Sequence, residues 1–271
     1  MMPSLRDRLL TWYLTQGGRG FLALHRYSQK LGGAGEIHRR TTYGSIFALD
    51  PSAYIDRIVL CEGYYESEVL EALRPYLQVG AVLWDIGGNF GLHAVTVKRL
   101  HPDVRVFTFE PNPQMLVQIA AHAALNGVEI GVLPLALADA PGPRSFHVNE
   151  TGNAGMSSLV KWEGGHYDRV ITVQCERADT LVAVGRVPAP TVIKLDVEGG
   201  EAAVLAGLGA LLRDPGLHAI VFEAGTGLEA QPDSDPIAGP LRAAGFRFAP
   251  LTRCEHSEHA LDNYLATRRT P

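Results

Sequence analysis

The sequence predicts a doubly wound α/β fold, a mostly parallel sheet with helices on both faces. Three observations predict it. Val82 to Asn112 reads as strand, glycine turn, helix, strand and acid, the first half of a dinucleotide-type βαβ unit. Strand runs and helical patterns alternate from there towards the C-terminus. The chain has 271 residues and is 46% hydrophobic, which suits one large α/β domain with a modest extension.

From the N-terminus, Leu5, Leu9, Leu10, Trp12 and Tyr13, then Phe21, Leu22, Leu24 and Tyr27, recur at helical intervals over residues 4–31, broken at Gly17-Gly18. Arginines fill the other face. Residues 1–42 are expected to be a helical cap packed on a main domain of residues 43–271, with Gly32 to Gly35 as a hinge. The competing reading is a basic amphipathic surface for a membrane, a partner or a second copy of the chain. Tyr43 to Leu49 and Tyr54 to Leu60 read as a β-hairpin around Asp50-Pro51. Tyr65, Glu66 and Glu68 precede a helix over Val69 to Tyr76 and can fold over a cofactor. Acids at a helix N-terminus also suit the dipole, so that alternative stands beside it.

In the central stretch, Val82-Leu83-Trp84 ends on Asp85, and Gly87, Gly88 and Gly91 follow, with Asn89 among them. Glycine accepts positive φ and admits a ligand close to the backbone. Asparagine is the residue best able to share such positions. Leu92 to Leu100 is helical, and the strand Val104 to Phe109 ends on Glu110, placed to accept both hydroxyls of a ribose. A pyrophosphate turn wants N–H groups without a carboxylate beside them. Asp85 therefore argues against a dehydrogenase and for a cationic ligand without phosphate, such as S-adenosylmethionine.

Pro111-Asn112-Pro113 starts a helix that Gly127 ends. Glu129 to Ala138 reads as the third strand. Arg144 to Val148, Ser157 to Lys161 and Val170 to Glu176 read as an antiparallel insertion spanning about residues 145–176. A short helix over Ala178 to Val184 comes next. The buried strand Thr191 to Asp196 runs into Val197-Glu198-Gly199-Gly200-Glu201, and Ala202 to Leu212 is helical. Leu217 to Phe222 ends on Glu223; Pro240 to Ala244 is helical; Phe246 to Leu251 and Asp262 to Thr267 are strands.

These residues resemble the FkbM family of S-adenosylmethionine-dependent methyltransferases over roughly Tyr43 to Ala266. The resemblance is carried by Asp85-Ile86-Gly87-Gly88-Asn89-Phe90-Gly91, Glu110-Pro111-Asn112-Pro113, Ser157-Ser158-Leu159, Lys194 to Glu201 and Asn263-Tyr264-Leu265-Ala266. Gly88 stands where the family more often has alanine, a change expected to be tolerated in a turn. His93 stands where an aromatic or hydroxyl residue is more usual. The resemblance implies a Rossmann-like class I methyltransferase fold with a seven-stranded sheet whose last strand is antiparallel. It implies methyl transfer to a hydroxyl, usually on a sugar or natural-product scaffold. Asp85, Gly87 and Gly91 would hold the methionine part of the cofactor, Glu110 the ribose, and Asn112 would border the adenine.

An alcohol is a poor nucleophile at neutral pH, so a base or a metal must act on its proton. Asp196, Glu198 and Glu223 end neighbouring strands, where they can share a proton or bind Mg²⁺ through oxygen, Asp196 and Glu223 foremost; the alternatives are that Asp196 binds and orients the cofactor and that Glu198 caps the helix beginning near Gly200. His93 is a further candidate base. Asn153, Ser157, Ser158, Trp162 and Tyr167 offer hydrogen bonds and flat faces to a sugar-like acceptor. Methyl transfer to nitrogen, or adenosyl binding without catalysis, are the alternatives. Cys254, His256 and His259 fit no zinc spacing.

Composition narrows the partners. Net charge is −5, from 24 basic and 29 acidic residues, although residues 1–40 hold seven Arg/Lys and two acids. That balance, and the lack of a Pro-Pro-aromatic stretch after Asp196, argue against a nucleic-acid substrate. Three scattered cysteines suggest a reducing, cytoplasmic compartment. No signal peptide and no membrane span are expected.

Overall fold

The computed structural model describes residues 8, 9, 12, 35–149, 154–161, 166–252 and 261–268. The helical reading of residues 4–31 lies almost wholly outside them, as do Asn153, Trp162 and the Cys254, His256, His259 group. Among the described residues, no helix is long and apolar enough to cross a membrane.

Strands β1 (Ile37–Arg40) and β2 (Ile46–Leu49) pair antiparallel across the boundary expected at residue 42. Ile37, Phe47 and Leu49 are fully buried in the main core, so this hairpin belongs to it. Tyr54–Glu62 is a helix, α1, rather than the expected strand. Ile55, Val59 and Leu60 form one helical stripe that packs inward, and Asp56 turns in to accept the Asp50 N–H at 2.8 Å. Helix α2 (Ser67–Leu73) follows.

The central unit forms as expected: β3 (Val82–Ile86), α3 (Leu92–Leu100), β4 (Arg105–Phe109) and α4 (Pro113–Asn126). The Asn112 side chain caps α4 by accepting the Gln114 N–H at 3.0 Å. The third expected strand is split. β5 (Gly131–Leu133) stays in the main sheet, whereas β6 (Ala136–Leu137) leaves it after Pro134, which has no N–H to extend the ladder. β6 joins β7 (Gly142–Val148) and β8 (Arg169–Glu176) in a separate three-stranded sheet, ordered β6-β8-β7. Ser157 to Lys161 is no strand; Ser158 makes a single bridge to His147. The chain continues through α5 (Ala178–Ala183), β9 (Val192–Leu195), α6 (Glu201–Leu208), β10 (Ala219–Gly225), α7 (Ala238–Ala243), β11 (Phe246–Pro250) and β12 (Leu261–Arg268).

The main sheet is ordered β11-β12-β10-β9-β3-β4-β5. Its strands run parallel except β12, which is antiparallel to both neighbours. Strand order reverses between β3 and β9, which opens a crevice at their carboxyl ends. Helices α1 to α4 contribute to the core on one face, and α5 to α7 to the core on the other.

Alternation along the strands then selects the site. Leu83, Val192, Val221 and Leu265 pack on the α1–α4 side. Asp85, Lys194, Glu223 and Asn263, each two residues nearer the crevice, share that face. Asp85 pairs in register with Lys194, and Glu223 with Asn263.

Candidate active site

Tyr65, Glu66, Gly87, Asn89, Glu110, Pro111, Asn112, Ser157, Asp196, Glu198 and Glu223 line one solvent-open cleft of about 230 Å³. The topology therefore brings most of the candidate residues together, from segments far apart in the chain.

The glycine turn forms the floor. Gly87, Asn89 and Gly91 adopt positive φ of 81°, 48° and 86°. A Cβ on Gly87 would lie 1.8 Å from the Asp196 carbonyl oxygen, so only glycine lets the end of β9 meet the turn. Glu110 is 6% exposed; its Oε2 accepts the Asn89 N–H at 2.8 Å and its Oε1 the Asn112 N–H at 2.7 Å. Burial raises its pKa to about 7 against the pull of those two bonds. Asn112 is 1% exposed, and its Nδ2 has no partner among the described residues, an orphaned donor on the cleft wall.

Beside the expectation that glycine is tolerated at position 88 stands a steric finding: the surroundings leave little room for a side chain there. A Cβ on Gly88 would lie 1.9 Å from Thr108 Oγ1, on the fully buried face of β4. Gly88→Ala should cost about 1–3 kcal/mol of stability through overpacking. Adding Thr108→Ala should restore most of that, as measured by denaturant unfolding. An undiminished loss in the double variant would show that Thr108 is not the obstacle.

Asp85 is not on the cleft wall. It lies beneath the turn, 1% exposed, with Oδ1 3.6 Å from Lys194 Nζ and neither oxygen in a hydrogen bond among the described residues. The cation it faces is thus a protein side chain. Lys194 Nζ also donates to Asp196 Oδ2 at 3.0 Å and to the Gly87 carbonyl at 3.2 Å. Burial alone would lower the lysine pKa, but Asp196, Asp85 and Glu66 outweigh it and keep the ammonium above its usual range.

Around Asp196 the acids crowd. Ligand oxygens of Asp196, Glu198 and Glu223 all lie within 4.8 Å of one another. Burial, then the neighbouring Asp196 charge, raises Glu198 to about 8 and Glu223 to about 9. Glu66, raised to about 7 chiefly by burial, reaches in from the start of α2 with φ 54° and accepts the Asn263 Nδ2 hydrogen bond at 3.2 Å. From just above the ordinary glutamate pKa up to about pH 9 the folded chain holds protons on these groups that the unfolded chain has released, so its stability falls as pH rises. The melting temperature of the ligand-free chain should drop across that window, and Glu223→Gln should flatten the drop; an equal slope in the variant would contradict this.

Other candidates fall elsewhere. His93 is 6% exposed, set edge-on to Tyr64 at 5.6 Å, and absent from the cleft wall. Burial, then Lys194, lowers its pKa to about 3. Ser158 is fully buried; its Oγ donates to the Glu198 carbonyl at 2.6 Å, so it pins the loop after β9 and does not face an acceptor. Tyr167 stacks at a tilt on His147, 5.2 Å between ring centres, away from the wall. Ser157 reaches the cleft and accepts the Asn149 N–H at 3.0 Å. Sequence reasoning gave no role to Lys194 and no contact to Asn263. A lysine inside an apolar strand was the available signal for the first; the second depends on strand order.

A family model described as the methyltransferase FkbM domain matches residues 85–248. The hexuronic acid methyltransferase AglP of Haloferax volcanii is 31% identical over 160 residues, 59% of this chain and 63% of AglP. The 31-O-demethyl-FK506 methyltransferase FkbM of Streptomyces tacrolimicus is 26% identical over 162 residues, 50% of this chain and 61% of that protein. The 2-O-methyltransferase NoeI of Sinorhizobium fredii is 27% identical over 139 residues, 46% of this chain and 56% of NoeI. The matched stretch spans less than two thirds of each relative's length.

Proposed function

Because the chain belongs to the FkbM methyltransferase family, we propose that it methylates a hydroxyl of a small sugar-like or natural-product molecule, using S-adenosylmethionine. One observation carries the reading: a single cleft joins Glu110, suited to a ribose, to the carboxylates that follow β9 and the one within β10. The cofactor fits the unpaired polar atoms there. Asn112 offers a buried donor without a partner among the described residues, and Glu110 has lone pairs left for two hydroxyls.

When bound, the cofactor supplies an electrophilic methyl: the hydroxyl oxygen forms the C–O bond as the C–S bond breaks and the electron pair stays on sulfur. The chain supplies position and a proton acceptor. Asp196 takes the hydroxyl proton. Glu198 and Glu223, protonated near neutral pH, keep like charge from accumulating beside it. Tyr65 and Glu66 close the cleft from the N-terminal side.

A second reading follows from the spacing of the three acids. They would hold a hard divalent ion such as Mg²⁺ through oxygen, and the ion would lower the pKa of the hydroxyl. Calorimetry of the full chain should show binding of S-adenosylmethionine and of S-adenosylhomocysteine; binding of neither removes the proposal. The name of AglP makes a hexuronic acid the first acceptor to try, with labelled methyl as readout. Turnover that survives a chelator supports proton transfer to Asp196 alone. Turnover lost on chelation and restored by Mg²⁺ supports the metal. Label on an amine and on no hydroxyl would replace the O-methyl reading.

A further inference from the structure

We propose that Lys194 is the positioning residue that ties the glycine turn to Asp196, so that methyl donor and proton acceptor share one anchor. This rests on the function proposed above. Lys194 is 5% exposed at the centre of β9. One ammonium spans both halves of the site: it donates to the Gly87 carbonyl at 3.2 Å and to Asp196 Oδ2 at 3.0 Å. The third side of the ammonium faces Asp85, 3.6 Å away and paired with it in register. The backbone is already as close as it can be, since a Cβ on Gly87 would collide with the Asp196 carbonyl. A shift of the turn is therefore a shift of Asp196. The ammonium supplies three donors in three directions, and the geometry uses two as hydrogen bonds and one as an ion pair.

S-adenosylhomocysteine is the probe for the first arm, because it lacks the sulfonium charge that a missing lysine would affect directly. Lys194→Met should weaken its binding about tenfold, the worth of one charge-assisted hydrogen bond, and Asp196→Asn should not. In methyl transfer to a hexuronic acid, Lys194→Met should lower kcat about a hundredfold through misplacement and leave the acceptor KM unchanged. The Lys194→Met/Asp196→Asn double variant should be slower than Asp196→Asn alone by much less than the hundredfold lost on the wild-type background. Where the methionine variant does not fold, Lys194→Gln carries the same cycle.

Unchanged affinity in the lysine variant, or losses in kcat that multiply in the double variant, overturn the role. A chain that binds the probe but methylates no hexuronic acid defeats the acceptor reading, and the binding arm still decides Lys194. A wild-type chain that binds no probe removes the function and this role together.

Discussion

Asp196→Asn lowers methyl transfer by about 10²–10⁴-fold, the usual worth of a positioned proton acceptor, while S-adenosylhomocysteine binding stays close to wild type. Asp196 stands one residue past β9, on the cleft wall, with Lys194 on one oxygen. Asparagine keeps the shape and an acceptor for the lysine but takes no proton. Glu198 and Glu223 do not replace it, because burial keeps them protonated up to about pH 8 and pH 9. Some return of activity at high pH is therefore expected as they ionise. Single-turnover rates with saturating cofactor separate this from a binding loss. Wild-type turnover in the variant would remove Asp196 as proton acceptor.

Glu110→Ala weakens cofactor binding by about a hundredfold or more. It strands two N–H donors, those of Asn89 and Asn112, each costing about 1–3 kcal/mol when buried without an acceptor. It also removes the acceptors for the ribose hydroxyls. Glu110→Gln is no benign control, since its amide N–H₂ must face one of the same backbone donors. The pH dependence checks the assignment independently. With its pKa raised to about 7, Glu110 gains charge between pH 6 and 8, so wild-type affinity rises over that interval and the glutamine variant stays flat. Unaltered affinity in the alanine variant would take the ribose away from Glu110.

Much of this site was legible as local spacing. A strand ending on an acid, a turn needing positive φ and a helix starting at once are decided within a few residues, so Gly87, Asn89, Gly91 and Glu110 were singled out together as candidates. Asp196 was legible for the same reason, one residue past a strand, whereas Glu223, expected just after its strand, lies inside β10, which runs on to Gly225. Other readings failed where local pattern was ambiguous. Tyr54 to Glu62 carries apolar residues that suit either period, and packing chose the helix. Glu129 to Ala138 looked continuous, but Pro134 let its halves join different sheets. His93 was near the turn in sequence and behind it in space.

The sequence by itself determined the βαβ unit, its glycine turn and the acids that end its strands, because each depends on neighbours within one or two turns or pleats. Only the tertiary structure decided which of them meet. The order β10-β9-β3 sets Lys194 between Asp85 and Asp196, and antiparallel β12 brings Asn263 opposite Glu223 and within reach of Glu66. It also put Thr108 in the space that a methyl on Gly88 would take. Those are contacts between distant segments, and register, which periodicity does not encode, is what places them.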